Sequence, residues 1–307
     1  MRNTVTRCLL VVTTLLLFAT RGFCDGTQAG EVTSPAVRLP EVTVTGEQPL
    51  NENQPIGPNQ QPEWTAYRRF PFTRVYVLPP WHFEAESGWD ATYNRSGGGP
   101  PFHLITQEFE LGLPYRFQVD YEYAETINDP GFGSTGHRYD GSSFELRWAL
   151  ADWGKLLFNP ALKAEYRLTN AQADFYELSL SLGDQFAERW HWGVDFFYEQ
   201  QVGDVRTTER SVSGALSYTL IDEKFSIGTE MKLKDETDNL DRHSHLVFLV
   251  GPSIQWRPTR NTHLDIVPLL GTTGPSPRIE TFVFFGIDFG PGSERSEALA
   301  PASLRNK

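Results

Sequence analysis

The chain has 307 residues, room for one large domain or two small ones, and its 39 acidic against 27 basic side chains give a formal net charge of −12. That surplus excludes nucleic acid as a natural partner, because a phosphate backbone is held by clustered Lys and Arg. Both cysteines, Cys8 and Cys24, fall near the start, so no disulfide framework can staple the remainder.

Residues 1–24 read as a signal peptide. Arg2 and Arg7 precede an apolar run from Leu9 to Ala19, and "TRGFC" supplies small residues near a cleavage point. The run is too short to cross a bilayer as a helix. Phe23 stands where a lipoprotein signal wants a small residue before Cys24, so lipid attachment there is not expected. Residues 25–63, with "RLPEVTVTGEQ" and "NENQPIGPNQQPEW", are rich in Pro, Asn and Gln and have little to bury; they predict a disordered periplasmic linker. Within it, Leu39–Gly46 resembles the stretch that follows the signal in TonB-dependent receptors, but the chain has no space for the plug domain and larger barrel of such proteins. An extended, β-prone linker is the preferred reading of those eight residues. Residues 64–80 form a pre-barrel segment. In "WTAYRRFPFTRVYV", Arg68, Arg69 and Arg74 alternate with Phe70, Phe72 and Tyr76, a composition suited to docking as a partial plug in an acidic lumen.

From residue 81 to 290 a two-residue alternation recurs in nearly every segment, the signature of strands with two chemically different faces. Phe117, Val119, Tyr121 and Tyr123 share one parity, and Gln118, Asp120 and Glu122 the other. Only Phe102–Leu111 is out of phase, since Leu104 and Ile105 fall on opposite parities, and a bulge is expected to restore it. The count is about twelve strands of roughly ten residues. Tight connections ("LPY", "IDEK", "RPTRN", with longer ones at "ADWGKL" and "GDQFAER") alternate with polar or Gly-rich loops. Residues 291–307 are expected to be a flexible C-terminal tail.

Periodicity leaves open which face is inside. A soluble barrel or sandwich turns its apolar face inward, and a transmembrane barrel turns it outward to lipid. Strand length and the export signal favour the second. So do aromatics at the stripe ends: Trp81, Tyr115, Trp153, Trp190, Trp192 and Trp256 at the tight-turn end, and Tyr93, Tyr123, Tyr166 and Tyr198 at the loop end. The predicted fold is all-β: a transmembrane antiparallel up-and-down β-barrel in the Gram-negative outer membrane, with both termini periplasmic.

"ELRWALADWGKLLFNPALKAEYR" (145–167) and the lead-in "TRVYVLPPWHFEAESGW" resemble outer-membrane barrels named for the meta-cleavage pathway of phenol degradation, over roughly Thr73 to Phe289. The resemblance implies an outer-membrane location and passage of aromatic or other small organic compounds. The last strand, "ETFVFFGIDF", looks like the closing signal read by the barrel-insertion machinery, although it lacks an upstream Gly and is followed by a tail.

Turning the polar parity inward puts Glu84, Glu86, Glu108, Glu110, Asp120, Glu122, Glu145, Glu165, Asp195 and Glu230 in the lumen, against Arg147, Lys163, Arg167 and Lys232. Such an interior prefers cations if water fills it; alternatively the charges pair across strands and no continuous channel exists. Val247, Leu249, Val267, Leu269, Phe282 and Phe284 share the lumen parity, giving one apolar wall. No catalytic set emerges. The same-face carboxylate pairs are accounted for by a structural network, and His243, His245 and His263 lack a further ligand at metal spacing. "DETDNLD" lacks the glycine and terminal glutamate of a calcium loop. No enzyme activity, cofactor or metal is expected. The expectation is a channel or transporter for small organic or aromatic solutes, its partners being outer-membrane lipid and the insertion machinery; the alternatives are a lipid-modifying enzyme and a non-conducting structural barrel.

Overall fold

The computed structural model describes residues 49–290, apart from 68, 96–100, 128–135, 171, 204–206 and 239–243 and the side chains of 238 and 244. The expected signal peptide, the stretch Leu39–Gly46, Arg68, His243 and the tail all lie outside the described residues. Residues 49–63, expected to be disordered, are instead built into short elements: 3-10 turns at Asn51–Asn53 and Glu63–Thr65 and a two-residue hairpin of β1 (Pro55–Ile56) and β2 (Gln61–Pro62). Local composition misled here because the partners of this stretch come from turns of the barrel far along the chain.

Twelve longer strands come after it: β3 (Phe83–Tyr93), β4 (Phe102–Leu113), β5 (Phe117–Ile127), β6 (His137–Ala149), β7 (Ala161–Thr169), β8 (Phe175–Ala187), β9 (Trp190–Gln201), β10 (Thr207–Ile221), β11 (Phe225–Asp238), β12 (Ser244–Thr259), β13 (Thr262–Gly271) and β14 (Ile279–Phe289). Each pairs antiparallel with its chain neighbours, and β14 closes on β3 from Phe289↔Phe83 to Ile279↔Tyr93, so the sheet is a closed barrel. Closure leaves no edge strand, the condition for β-structure to be stable in hydrocarbon. One rim carries the tight connections, such as Pro114–Arg116 and the two-residue turn Glu188–Arg189, together with the longer connection 150–160, while loops join the strands at the other. The Glu188–Arg189 turn is tighter than "GDQFAER" suggested, because β8 runs on to Ala187 with an irregularity at Gln185/Ala187.

The faces segregate by chemistry. Phe144, Leu146, Leu178, Ile227 and Leu270 are exposed on the outer face, while Glu84, Glu110, Gln118 and Asp265 on the opposite parity are buried. An apolar exterior around a polar interior is the pattern of a barrel solvated by acyl chains. The expected bulge in β4 does not occur: pairing with β3 and β5 is continuous across it. Leu104 stays in phase on the lumen parity, opposite Asp90, and Ile105 faces outward opposite Trp89. Their opposite parities mark an apolar lumen residue, not a slip in register.

Candidate functional site

The segment preceding β3 lies against the inner face of the barrel at its tight-turn end. It is tethered first at the rim. The Leu50 N–H donates to Glu188 Oε1 at 2.5 Å, the Asn51 and Glu52 N–H groups to Asp222 at 2.8 and 3.2 Å, and Asn53 Nδ2 to the Glu188 carbonyl at 2.7 Å. Two turn carboxylates thus take up the unpaired N–H groups of a short helical turn. Glu52 itself is buried, receives the Thr219 hydroxyl, and pairs with Arg69 at 2.5 Å. Trp64 is fully buried beside Phe70, Trp153 and His191.

Further in, the chain is keyed to strands on many sides of the ring. Phe72 N donates to Glu230 on β11 (3.4 Å), and its ring meets Phe282 on β14 edge-on at 4.1 Å. Thr73 and Ser213 on β10 are 3.1 Å apart. Arg74 bridges Glu84 on β3 and Glu110 on β4 at 2.8 and 2.6 Å, and Arg147 on β6 donates to its carbonyl at 2.7 Å. Val75 packs on Gly183 of β8 and Gly193 of β9, where a Cβ would come within 2.5 Å of it. Leu78 N donates to Gln118 on β5 at 2.6 Å, and the Pro79 carbonyl sits where a Cβ on Gly112 would be. A strand of chain reaching so many staves at one level must lie within the ring.

Burial pushes the phenols of Tyr67 and Tyr76 well above their ordinary range. Both remain donors, Tyr67 to Glu63 and Tyr76 to the Ala151 carbonyl, each at 2.6 Å. Tyr67 also carries Arg257 stacked 3.3 Å above its ring.

Above this floor is a cavity of about 130 Å³ lined by Phe72, Arg74, Glu108, Glu110, Asp120, Glu122, Glu145, Arg147, Lys163, Glu165, Arg167 and Asp195. The lumen residues read from the sequence therefore meet, but as a paired network. Lys163 touches Glu145, Glu165 and Glu177 at 3.1, 3.1 and 2.7 Å; Arg147 holds Glu145 at 2.6 Å, and Arg167 reaches Glu165 and Glu199 at 3.3 and 3.5 Å. Side-chain exposure rises from 9% at Arg147 and 11% at Lys163 to 37% at Arg167, nearer the loops, so water enters from the loop end. Glu230 is buried under Phe72, and Lys232 lies 6.0 Å from the Phe72 ring centre. Glu86 sits lower, 3.9 Å from His263. The apolar wall gathers Val247, Leu249, Val267, Leu269 and Phe282, with Phe72 and Phe284 against it.

Several residues differ from expectation or were missed. Trp153 leaves the outer aromatic belt: its ring stands edge-on to Trp64 at 5.6 Å and to Tyr76 at 5.3 Å, because the 150–160 connection folds over the inner segment. Trp81, Tyr115, Trp190, Trp256, Tyr93 and Tyr166 are exposed; Trp192, Tyr123 and Tyr198 are half-buried. His245 and His263 do not meet, since one opposes Glu236 near the loops and the other Gly286 near the turns. His263 instead lies 2.6 Å from Asp265 and 2.9 Å from Glu84. Ligand-type atoms of Glu84, Glu86 and His263 fall within 4.8 Å of one another, and Arg74 already supplies a cation there. Lys234, with Glu209 at 2.9 Å and Glu236 at 3.3 Å, was not singled out in the sequence. Nor was the run of small lumen residues, Ser179, Ser181, Gly183, Gly193, Ser213, Ala215 and Ser217, which makes room for the inner segment. Its shared odd-numbered parity on three successive strands was the available signal.

No family model matches the sequence, and no curated protein does. Among solved structures the chain superposes on an outer-membrane channel from Pseudomonas putida F1 with a TM-score of 0.50 and 9% identity, over 70% of this chain and 98% of that one. The NanC porin gives 0.47 at 12% identity, over 68% and 100%. The KdgM porin gives 0.44 at 8%, over 68% and 99%. At such identities the first likeness establishes the barrel fold alone, and the two lower scores add nothing to it.

Proposed function

We propose that this barrel is an outer-membrane channel for small organic solutes, entered from the loop side and floored by its own N-terminal segment, residues 49–80. The observation that carries the reading is the charged cavity whose lining grows more exposed toward the loops and which ends on Phe72 and Arg74. The apolar exterior supports the membrane location, and the position of the inner segment at the tight-turn end supports periplasmic termini. Aromatic or other small organic cargo rests on the resemblance of residues 145–167 to the phenol-pathway barrels. The excess of lumen carboxylates favours solutes that are neutral or cationic. Phe289, closing the last strand, is the residue offered to the insertion machinery.

The test is conductance of the full chain in planar bilayers against a form lacking residues 26–74. The full chain is expected to conduct weakly and the deletion several times better. Equal conductance would refute the plug, and failure of both forms to pass ions or any of a panel of small aryl solutes would refute the channel.

A further inference from the structure

Among the described residues, one stretch of the barrel wall lacks its hydrogen-bond ladder although its two strands stay in contact. Along the β12–β13 seam the pairing runs from Leu249↔Gly271 and Val250↔Leu270 directly to Ile254↔Ile266 in the same register, leaving three residue pairs without a ladder. At the centre of that gap the register sets Pro252 opposite Pro268. Proline has no N–H, and in a hydrogen-bonded position each nitrogen should donate to the other residue's carbonyl. Two facing prolines in such a position therefore account for the loss of all three pairs. The bonded spacing here stretches to roughly 13 Å, against roughly 7 Å in an intact ladder. Among the described residues no other strand pair is broken in mid-length; Pro258, the remaining proline within a barrel strand, lies beside the β12–β13 turn.

The outer side of the gap is apolar, and so is its lumen side apart from Ser253. Pro252, Pro268, Val250, Leu270, Ile254 and Ile266 share the outward parity. Behind it stand Leu249, Val267 and Leu269 of the apolar wall, with Gly251 contributing no side chain. Gly251 is needed for the approach, since a Cβ there would lie 1.9 Å from the Pro268 carbonyl. A proline pair inside a closed sheet is costly, because each carbonyl loses its donor where no water can replace it. Straight passage downward meets the inner segment and its buried ion pairs.

Resting on the channel reading above, we infer that the β12–β13 seam is a lateral exit through which uncharged apolar solutes pass between the lumen and the membrane interior. A solute sliding along the apolar wall meets, at Pro252 and Pro268, the one stretch of wall among the described residues that can part without breaking backbone hydrogen bonds.

The test is a cross-link. Ser253→Cys with Val267→Cys places two thiols at facing lumen positions of the gap, and no natural cysteine follows Cys24. Cells carrying the full chain are assayed for entry of an apolar aryl dye that fluoresces in membranes. Oxidation should slow barrel-dependent entry by about tenfold or more and reductant should restore it, with ion conductance unchanged. A second variant, Pro252→Val with Pro268→Val, restores both donors and should slow entry without any cross-link. Dye entry that persists unchanged in both variants would overturn the lateral exit while leaving the channel standing. Entry no faster than in cells lacking the barrel would overturn both.

Discussion

Replacing Arg74 by Ala tests what holds the inner segment in place. Its guanidinium lies between Glu84 and Glu110, at 2.8 and 2.6 Å, with side-chain exposures of 3%, 0% and 1% for the three groups. Truncation leaves two buried carboxylates without their shared cation, and breaking a buried pair in this way costs about 3–5 kcal/mol. The barrel staves keep their ladders, so the cost falls on the docked state of residues 70–78. Since each 1.4 kcal/mol is a factor of ten, the released population should rise by roughly a hundredfold to a few thousandfold. A thiol placed at Thr73, whose hydroxyl meets Ser213, reports this by its rate of labelling with a water-soluble maleimide. Barrel integrity is followed separately by heat-modifiable mobility in gels. A rise of at least about a hundredfold in labelling, with the barrel intact, is expected. A change below about threefold would show that the ion pairs do not secure the segment, and the argument from their burial would be wrong.

Gly193→Val should release the same segment by steric means, since its Cβ would come 2.5 Å from Val75 and 2.8 Å from Thr73; a penalty of about 1–3 kcal/mol is expected, read as faster labelling at position 73. Phe144→Arg, on the outer face at mid-strand, should cost about 2–4 kcal/mol in urea unfolding from bilayers, whereas Ser143→Arg on the lumen side of the same strand should cost much less. Lys163→Met removes the cation shared by Glu145, Glu165 and Glu177. In the form lacking residues 26–74, the reversal potential in a salt gradient should shift toward stronger cation selectivity.

The alternation along Phe117–Tyr123 was enough to give the strand and its two faces, because a period of two allows no other regular structure, and strand length, the export signal and the aromatics at the stripe ends then gave the environment. Leu104 shows the limit of that reasoning. Parity tells which side a residue faces, but not whether an apolar residue on the polar side is an error of register or part of an apolar wall. Trp153 was misread for a related reason: a tryptophan beside a tight turn has the composition of a belt residue whichever way the connection folds. The ordering of Asn51–Pro62 could not be read at all, since its partners Glu188 and Asp222 lie more than a hundred residues away. The facing prolines were visible singly, but opposition requires the register, which parity does not fix.

The inner segment also changes what the lumen charges mean. Counted along the sequence, the carboxylates exceed the cations and suggest an acidic lumen. In the folded barrel Arg74 neutralises the lowest pair, Lys163 serves three carboxylates at once, and Arg147 anchors both Glu145 and the carbonyl of Arg74. The charges therefore serve first to dock a segment of the chain and to stiffen one side of the ring, and only those near the loops, such as Arg167, are exposed enough to meet solute in water. Low conductance and high sensitivity to changes at Arg74 are then two consequences of one arrangement. A barrel that spends its deepest charges on holding its own floor is better suited to moving apolar molecules past that floor than to conducting ions through it.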